Sequence, residues 1–287
     1  MTRSDSRKGA KPKRKYTAAN ADRHELYQLA VQNVESEIDF VDETFQAMRK
    51  RKAERLREDF CGTGNTSCEW VSRRKTNIAV GLDIDADPLA WGREHNFAKL
   101  KPAQRERVKL LERDVLDPGP GTGKMDIVLA MNFSYWLFMD RKTMRRYFER
   151  VRESLVSDGV FFLDHFGGYE AYQEQEEERE VEGGKFTYIW DQQKYNPISG
   201  RVDCAIHFKF KDGTEMRNAF TYSWRLWSLP EIREILEEAG FKKTTVYWEG
   251  VDDEEDEEGF AGGNGEFEAT EEGTADAGYI CYITAEK

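Results

Sequence analysis

Residues 56–64 read Leu-Arg-Glu-Asp-Phe-Cys-Gly-Thr-Gly, a strand-like start that runs into the turn Gly62-Thr63-Gly64 with a helical pattern behind it. A strand, a glycine turn and a helix in that order bring backbone N–H groups up to a nucleotide-like ligand, because glycine lets the main chain approach closely. The turn alone serves many connections, purely structural ones included. Spacing adds to it. Asp83 closes the next strand pattern about 20 residues on, where a carboxylate accepts both ribose hydroxyls. A third acid, Asp114, follows the third strand pattern in Leu-Glu-Arg-Asp-Val.

The elements that must position these residues follow from periodicity. Apolar or β-branched runs at 55–60, 77–84, 108–111, 125–131 and 160–165 alternate with amphipathic stretches at 66–74, 88–100 and 141–155. Strands alternating with helical patterns predict βαβ units and a mostly parallel, doubly wound α/β sheet. Ahead of them, residues 22–51 form a long helical pattern with Leu26, Leu29, Val34, Ile38, Val41 and Phe45 on its apolar side, expected to cross the sheet and cap the ligand. After the fifth strand the pattern changes. Residues 186–190, 201–211 and 215–225 are aromatic-rich or alternate with period two, and Asp212-Gly213 between the last two is a hairpin signal. Ser228, Pro230, Glu231 and Gly240 punctuate a helix over 230–239, and further strands are predicted at 243–248 and 277–284.

Taken together, residues 58–64, Gly-Leu-Asp (81–83), Arg-Asp-Val (113–115), residues 125–130 and residues 155–161 resemble the successive motifs of class I S-adenosylmethionine-dependent methyltransferases. They stand in that family's order and cover roughly residues 50 to 170. The resemblance implies a seven-stranded sheet, S-adenosyl-L-methionine as cofactor, and cofactor contacts from Arg57, Glu58, Gly62, Gly64, Asp83, Ile84, Asp114, Val115 and Asn132. One departure is Phe60, where the family has glycine, so the methionine end is expected to be shaped differently. Arg57 and Asp59 are charged for a central strand, and either the cofactor's charged end or the N-terminal helix is open to them.

Two other readings of the turn fit less well. Dinucleotide binding wants a third glycine where the chain has Ser67, and a phosphate loop wants lysine where it has Asn65. The Gly-rich run 119–124 precedes a strand and reads as a surface turn. Cys61, Cys68, Cys204 and Cys281 are far apart with no Cys-x-x-Cys pair, so no metal site and no disulfide framework is expected.

For the acceptor, Asn132, Phe133, Ser134, Tyr135 and Trp136 follow the fourth strand. They echo the Asn-Pro-Pro-Tyr of amino methyltransferases without its prolines, and are more similar to glycine N-methyltransferase and the sugar N-methyltransferases, which also carry an antiparallel insertion. The resemblance thus favours a small-molecule methyl acceptor with an N or O nucleophile, with Tyr135, Trp136 and Arg225 as substrate contacts. Tyr222, Trp224 and His165 are the catalytic candidates, since ring faces favour cations and a histidine accepts protons, although each is also an ordinary core residue. Alternation along a strand puts Tyr222 and Trp224 on one side and Arg225 on the other.

The expected organisation is a disordered basic tail (1–19), a cofactor-binding core with a helical cap (20–185), an antiparallel substrate-covering insertion (186–227) and the rest of the core (228–287) with an acidic loop at 251–276. The net charge of −12 repels phosphate backbones, so nucleic acid is not the expected partner. No apolar run long enough for a membrane span occurs, and reduced thiols suit the cytoplasm, with a nuclear address open to the basic tail. Self-association is compatible with the chain. A macromolecular acceptor served by that tail, and a non-catalytic cofactor-binding subunit, are the competing readings.

Overall fold

The computed structural model describes residues 15–255 and 261–287. Its main layer is an eight-stranded sheet built by strand–helix alternation. Strand β1 (Arg55–Asp59) is followed by α3 (Asn65–Arg73), and two helices, α1 (Arg23–Ala30) and α2 (Val34–Arg49), precede it. Then come β2 (Ile78–Asp83), α4 (Ala86–His95), the single turn α5 (Pro102–Arg105), β3 (Val108–Glu112), β4 (Met125–Ala130), α6 (Arg141–Ser154) and β5 (Leu155–Gly167). Strands β3, β2, β1, β4 and β5 lie side by side and parallel, with β1 central. The order reverses between β1 and β4, which opens a crevice at their carboxyl ends.

The chain then leaves the sheet for a four-stranded antiparallel layer, β6 (Gln175–Val181), β7 (Phe186–Asn196), β8 (Arg201–Phe210) and β9 (Glu215–Arg225), before returning through α7 (Leu229–Glu238). The Ser228–Glu231 capping box with Pro230 starts α7 as the sequence indicated. Strands β10 (Lys243–Glu255), β11 (Ala261–Thr270) and β12 (Tyr279–Glu286) complete the main sheet, with β12 antiparallel between β5 and β10.

The doubly wound fold with an antiparallel insertion after the fifth strand is as expected, but the main sheet has eight strands, not seven. The extra one is β11, in the stretch expected as an acidic loop at 251–276; it pairs with β10 from Val246–Thr270 to Glu255–Ala261. Charge and glycine hid it, because an edge strand exposed to water needs no apolar alternation. The same reason hid β6, whose Gln-Glu-Glu-Glu-Arg-Glu run starts the insertion well before residue 186. Residues 256–260 of the expected loop, and residues 1–14 of the expected tail, lie outside the described residues.

The predicted single helix over 22–51 is two helices because its halves serve different layers. Ile38, Val41 and Phe45 of α2 pack with Leu56, Trp70, Ile127 and Phe162 on one face of the main sheet. Leu26 and Ala30 of α1 instead pack on the insertion, against Val181, Phe186, Ile206 and Phe208. A turn at residues 31–33, ending on Asn33 as the cap of α2, lets the chain change direction between them. On the opposite face of the main sheet, Val128, Phe161 and Leu163 meet Tyr147, Phe148 and Val151 of α6 and Ile232, Ile235 and Leu236 of α7. Strand β4 is buried along its whole length, on both faces.

Candidate active site

The β1–α3 loop is a chain of left-handed residues: Phe60 has φ 57°, Gly62 52° and Gly64 63°. Glycine adopts this backbone freely; phenylalanine does so at a cost, offset here by packing its ring against Phe138 and Tyr147. The loop is wedged closely. A Cβ on Gly92 of α4 would collide with the Thr63 carbonyl, and one on Gly81 would come within 2.8 Å of the Cys61 sulfur. Asp83 at the end of β2 accepts the Gly62 N–H at 2.7 Å through one oxygen and the Asp85 N–H at 2.9 Å through the other. Each oxygen keeps a lone pair, the requirement for receiving a pair of vicinal hydroxyls.

Glu58 sits under the loop and accepts from both the N–H and the hydroxyl of Ser67, at 2.8 and 2.5 Å. Burial raises its pKa to about 7 against those bonds. Arg57 and Asp59 face the other side of β1. They are fully buried and pair with each other, Nε to Oδ1 at 2.8 Å and Nη2 donating to Oδ2 at 2.9 Å. Tyr147 donates to Asp59 and the second Arg57 nitrogen donates to the Thr122 carbonyl, so the charge pair sits in a closed polar cage. Arg57 therefore meets neither the N-terminal helix nor the crevice, and its expected cofactor contact is not formed; Asp59 is the member of the pair that reaches the cavity wall.

A cavity of about 480 Å³ lies over this loop, walled by Glu58, Gly62, Asp83 and Asn132 and roofed by His24 and Tyr27 of α1 and residues 218–222 of β9. Helix α1 and its flanks are strapped to the loop and the helices beside it: Gln28 donates to the Thr63 hydroxyl at 2.7 Å, Asn65 of α3 donates to Gln32 at 3.1 Å, and Trp91 of α4 donates to Asp22 at 2.9 Å. Gly64 sits at the start of α3 behind Gly62. Ile84 is exposed beside the cavity mouth, Val115 is buried in the core, and the Asp114 carboxylate accepts the Leu116 N–H at 2.8 Å, so these three stand outside the wall.

A second cavity of about 450 Å³ adjoins the first, between the insertion and the ends of β5 and β12. Tyr27, Asn132 and Tyr222 line both. Asn132 and Phe133 are consecutive left-handed residues whose N–H groups donate to the Asp164 carboxylate at 2.6 and 2.9 Å. Burial raises Asp164 to about 7 while those two donors pull it down. Tyr27 and Tyr222 face each other at this junction, and burial raises both, Tyr27 to about 12.

Of the sequence candidates, Tyr222 and Trp224 reach this second cavity. His165 does not. It is a fully buried residue of β5, neither ring nitrogen has a hydrogen-bond partner, and burial lowers its pKa to about 3. Tyr135 is also core, its hydroxyl donating to the Asp164 carbonyl at 2.7 Å, and Trp136 packs fully buried against Phe166. Arg225 lies on the opposite side of β9, over the Trp227 ring at 3.6 Å and bonded to Glu231, as alternation required.

Sequence reasoning missed Tyr27 and Asp164. A carboxylate inside the run Phe-Phe-Leu-Asp-His-Phe was a signal, because a buried strand tolerates an acid only with partners; Tyr27 gave none apart from its place in a capping helix. Outside the cavities, Glu176, Asp191 and His207 bring ligand atoms within 4.8 Å of one another. His207 Nδ1 accepts the Asn218 N–H at 2.8 Å, so its proton is on Nε2, which donates to Asp191 at 3.0 Å. A metal would have to displace that proton, and the group is read as a fixed hydrogen-bond chain. The four cysteines are buried free thiols. No described helix is long and apolar enough to cross a membrane.

The model of a family described as a methyltransferase domain matches residues 61–161. No curated protein matches the sequence. Among solved structures, an S-adenosylmethionine-dependent methyltransferase from Clostridium acetobutylicum superposes with a TM-score of 0.64 at 16% identity, over 92% of this chain and 96% of that one. The S-adenosylmethionine-bound amino pentose methyltransferase from Micromonospora echinaspora gives the same figures, 0.64, 16%, 92% and 96%. A sugar N-methyltransferase from Streptoalloteichus sp. aligns over 100% of this chain and 98% of its own, with a TM-score of 0.62 and 16% identity. The crevice at the reversal of strand order, the glycine loop beside Asp83 and the matched segment agree: residues 61–161 are similar to a methyltransferase domain, and the chain has the fold of the class I methyltransferases.

Proposed function

We propose that the protein transfers the methyl group of S-adenosyl-L-methionine to a small molecule. The observation that carries this is the pair of adjoining cavities, one over the glycine loop and Asp83 and one under the insertion, which share Tyr27, Asn132 and Tyr222 at their junction. The first has a size ordinary for a cofactor site and the donor set for it: loop N–H groups, a ribose-type acid with free lone pairs, and the Glu58 carboxylate toward a cationic end. When bound, the cofactor supplies a sulfonium whose methyl carbon is attacked in line while the C–S bonding pair stays on sulfur.

The chain's part is alignment and exclusion of water. Asp83 and the loop fix the donor, Asp164 fixes the Asn132 turn through its two N–H groups, and Tyr27 and Tyr222 stand at the junction where the nucleophile must arrive. His165 takes no proton from it, being buried elsewhere. An acceptor space of about 450 Å³ between two sheet layers and α1 is of small-molecule size. The test is transfer of a labelled methyl group from S-adenosylmethionine into a metabolite extract, with Asp83→Ala as the inactive control. Label appearing only in protein or RNA would overturn the small-molecule reading.

A further inference from the structure

Given the methyl-transfer reading, the cavity under the insertion receives the methyl acceptor, and its charge pattern narrows that ligand. Among the described residues lining it, the ionisable side chains other than tyrosines are Glu170, Glu177 and Glu249; none is Lys, Arg or His. Arg179, two residues from Glu177 and so on the same face of β6, is occupied: its guanidinium donates to the Ala30 carbonyl and rests over the Tyr188 ring at 5.5 Å. The wall from the insertion is a row of rings. Trp190, Tyr222 and Trp224 have centroids 4.5 to 6.0 Å apart and planes tilted by 33 to 39°.

Ring faces and carboxylates attract the same kind of group, a cation stripped of part of its water. A phosphate or carboxylate on the ligand would face three glutamates with no lining cation to pair it, a like-charge repulsion that disfavours an anion there. We propose that the acceptor is a small amine without phosphate or carboxylate, held as its ammonium against Trp190, Tyr222 and Trp224 with Glu177 as counter-charge. For transfer, the nitrogen gives one proton to water through the glutamate rim. Its lone pair then forms the N–C bond as the C–S bond breaks and sulfur keeps the pair. The product nitrogen is again cationic and faces the same rings.

Three isosteric probes test this: choline, the neutral alcohol neohexanol and the anion tert-butylacetate, each titrated with and without saturating S-adenosylhomocysteine and followed by tryptophan fluorescence. Choline is expected to bind about tenfold or more tightly than neohexanol, with no binding of tert-butylacetate. Trp190→Leu and Glu177→Gln should each weaken choline about threefold or more while S-adenosylhomocysteine affinity is unchanged. A protein that binds S-adenosylhomocysteine but takes the alcohol or the carboxylate as well as choline overturns the charge assignment alone. One that shows the choline preference but binds no S-adenosylhomocysteine supports the assignment and overturns the methyl-transfer reading.

Discussion

Tyr222 of β9 and Tyr27 of α1 come together where the two cavities meet, so the insertion and the N-terminal cap touch at that junction. Tyr222→Phe removes one hydroxyl and leaves the ring stack with Trp224, at 4.5 Å, in place. Affinity for S-adenosylhomocysteine should stay within about twofold, while kcat should fall on the order of tenfold to a hundredfold through lost alignment. Tyr27→Phe should behave alike, and because the two side chains share one junction the double variant should lose less than the sum of the single losses. Additive losses in steady-state kinetics would mean that the hydroxyls act separately.

Asp83 holds its loop and is placed to hold a ribose. Asp83→Asn keeps one acceptor for the Gly62 N–H but loses the charge, so cofactor affinity should drop about 10- to 100-fold, the size of losing charge-assisted bonds worth about 1.5–3 kcal/mol. Calorimetric titration with S-adenosylhomocysteine reads this directly. Unchanged affinity in a folded variant would move the cofactor away from the β2 end.

The Arg57–Asp59 pair is a stability device. Both side chains are fully buried, so Arg57→Met leaves an unpaired carboxylate in the core and should cost about 3–5 kcal/mol in urea unfolding. Replacing both, Arg57→Met with Asp59→Leu, should recover most of that loss. If the single variant is as stable as the parent, the cage is not closed.

Glu37 predicts a pH dependence. One of its oxygens is buried without a partner, and burial raises its pKa from 4.5 to about 7. Between these values the native state keeps a proton that the unfolded chain has released. Stability from this group is therefore full below about 4.5 and declines as the pH rises to about 7. Glu37→Gln has no such decline: it should match the parent near pH 4.5 and exceed it by on the order of 1–3 kcal/mol at pH 8. Melting temperatures at the two pH values decide it.

Much of this was legible in the residues. The glycine turn, Asp83, the alternating strands and helices and the Ser228 cap are local signals, each read by chain geometry within a few residues, and they located the donor side of the crevice. The acceptor side was legible only by face: alternation separated Tyr222 and Trp224 from Arg225 correctly. Alternation could not tell which aromatic is wall and which is core, as with Trp136, because that depends on how the two sheets are laid together. The N-terminal boundary of the insertion was hidden for a different reason. An exposed edge strand of glutamates buries almost nothing, and periodicity reports burial.

Helix α1 has a consequence for traffic. It packs on the insertion through Leu26 and Ala30, is tied to the glycine loop by Gln28, with Gln32 of the turn behind it bonded to Asn65, and lends Tyr27 to both chambers. One short segment thus acts as a shared bolt: it cannot withdraw from the donor chamber without unlatching the acceptor chamber in the same movement. On the proposed function, loading and discharge of the two compounds would be a single gated event, reported by protease access to the turn at residues 31–33, which occupancy of the donor chamber should shut.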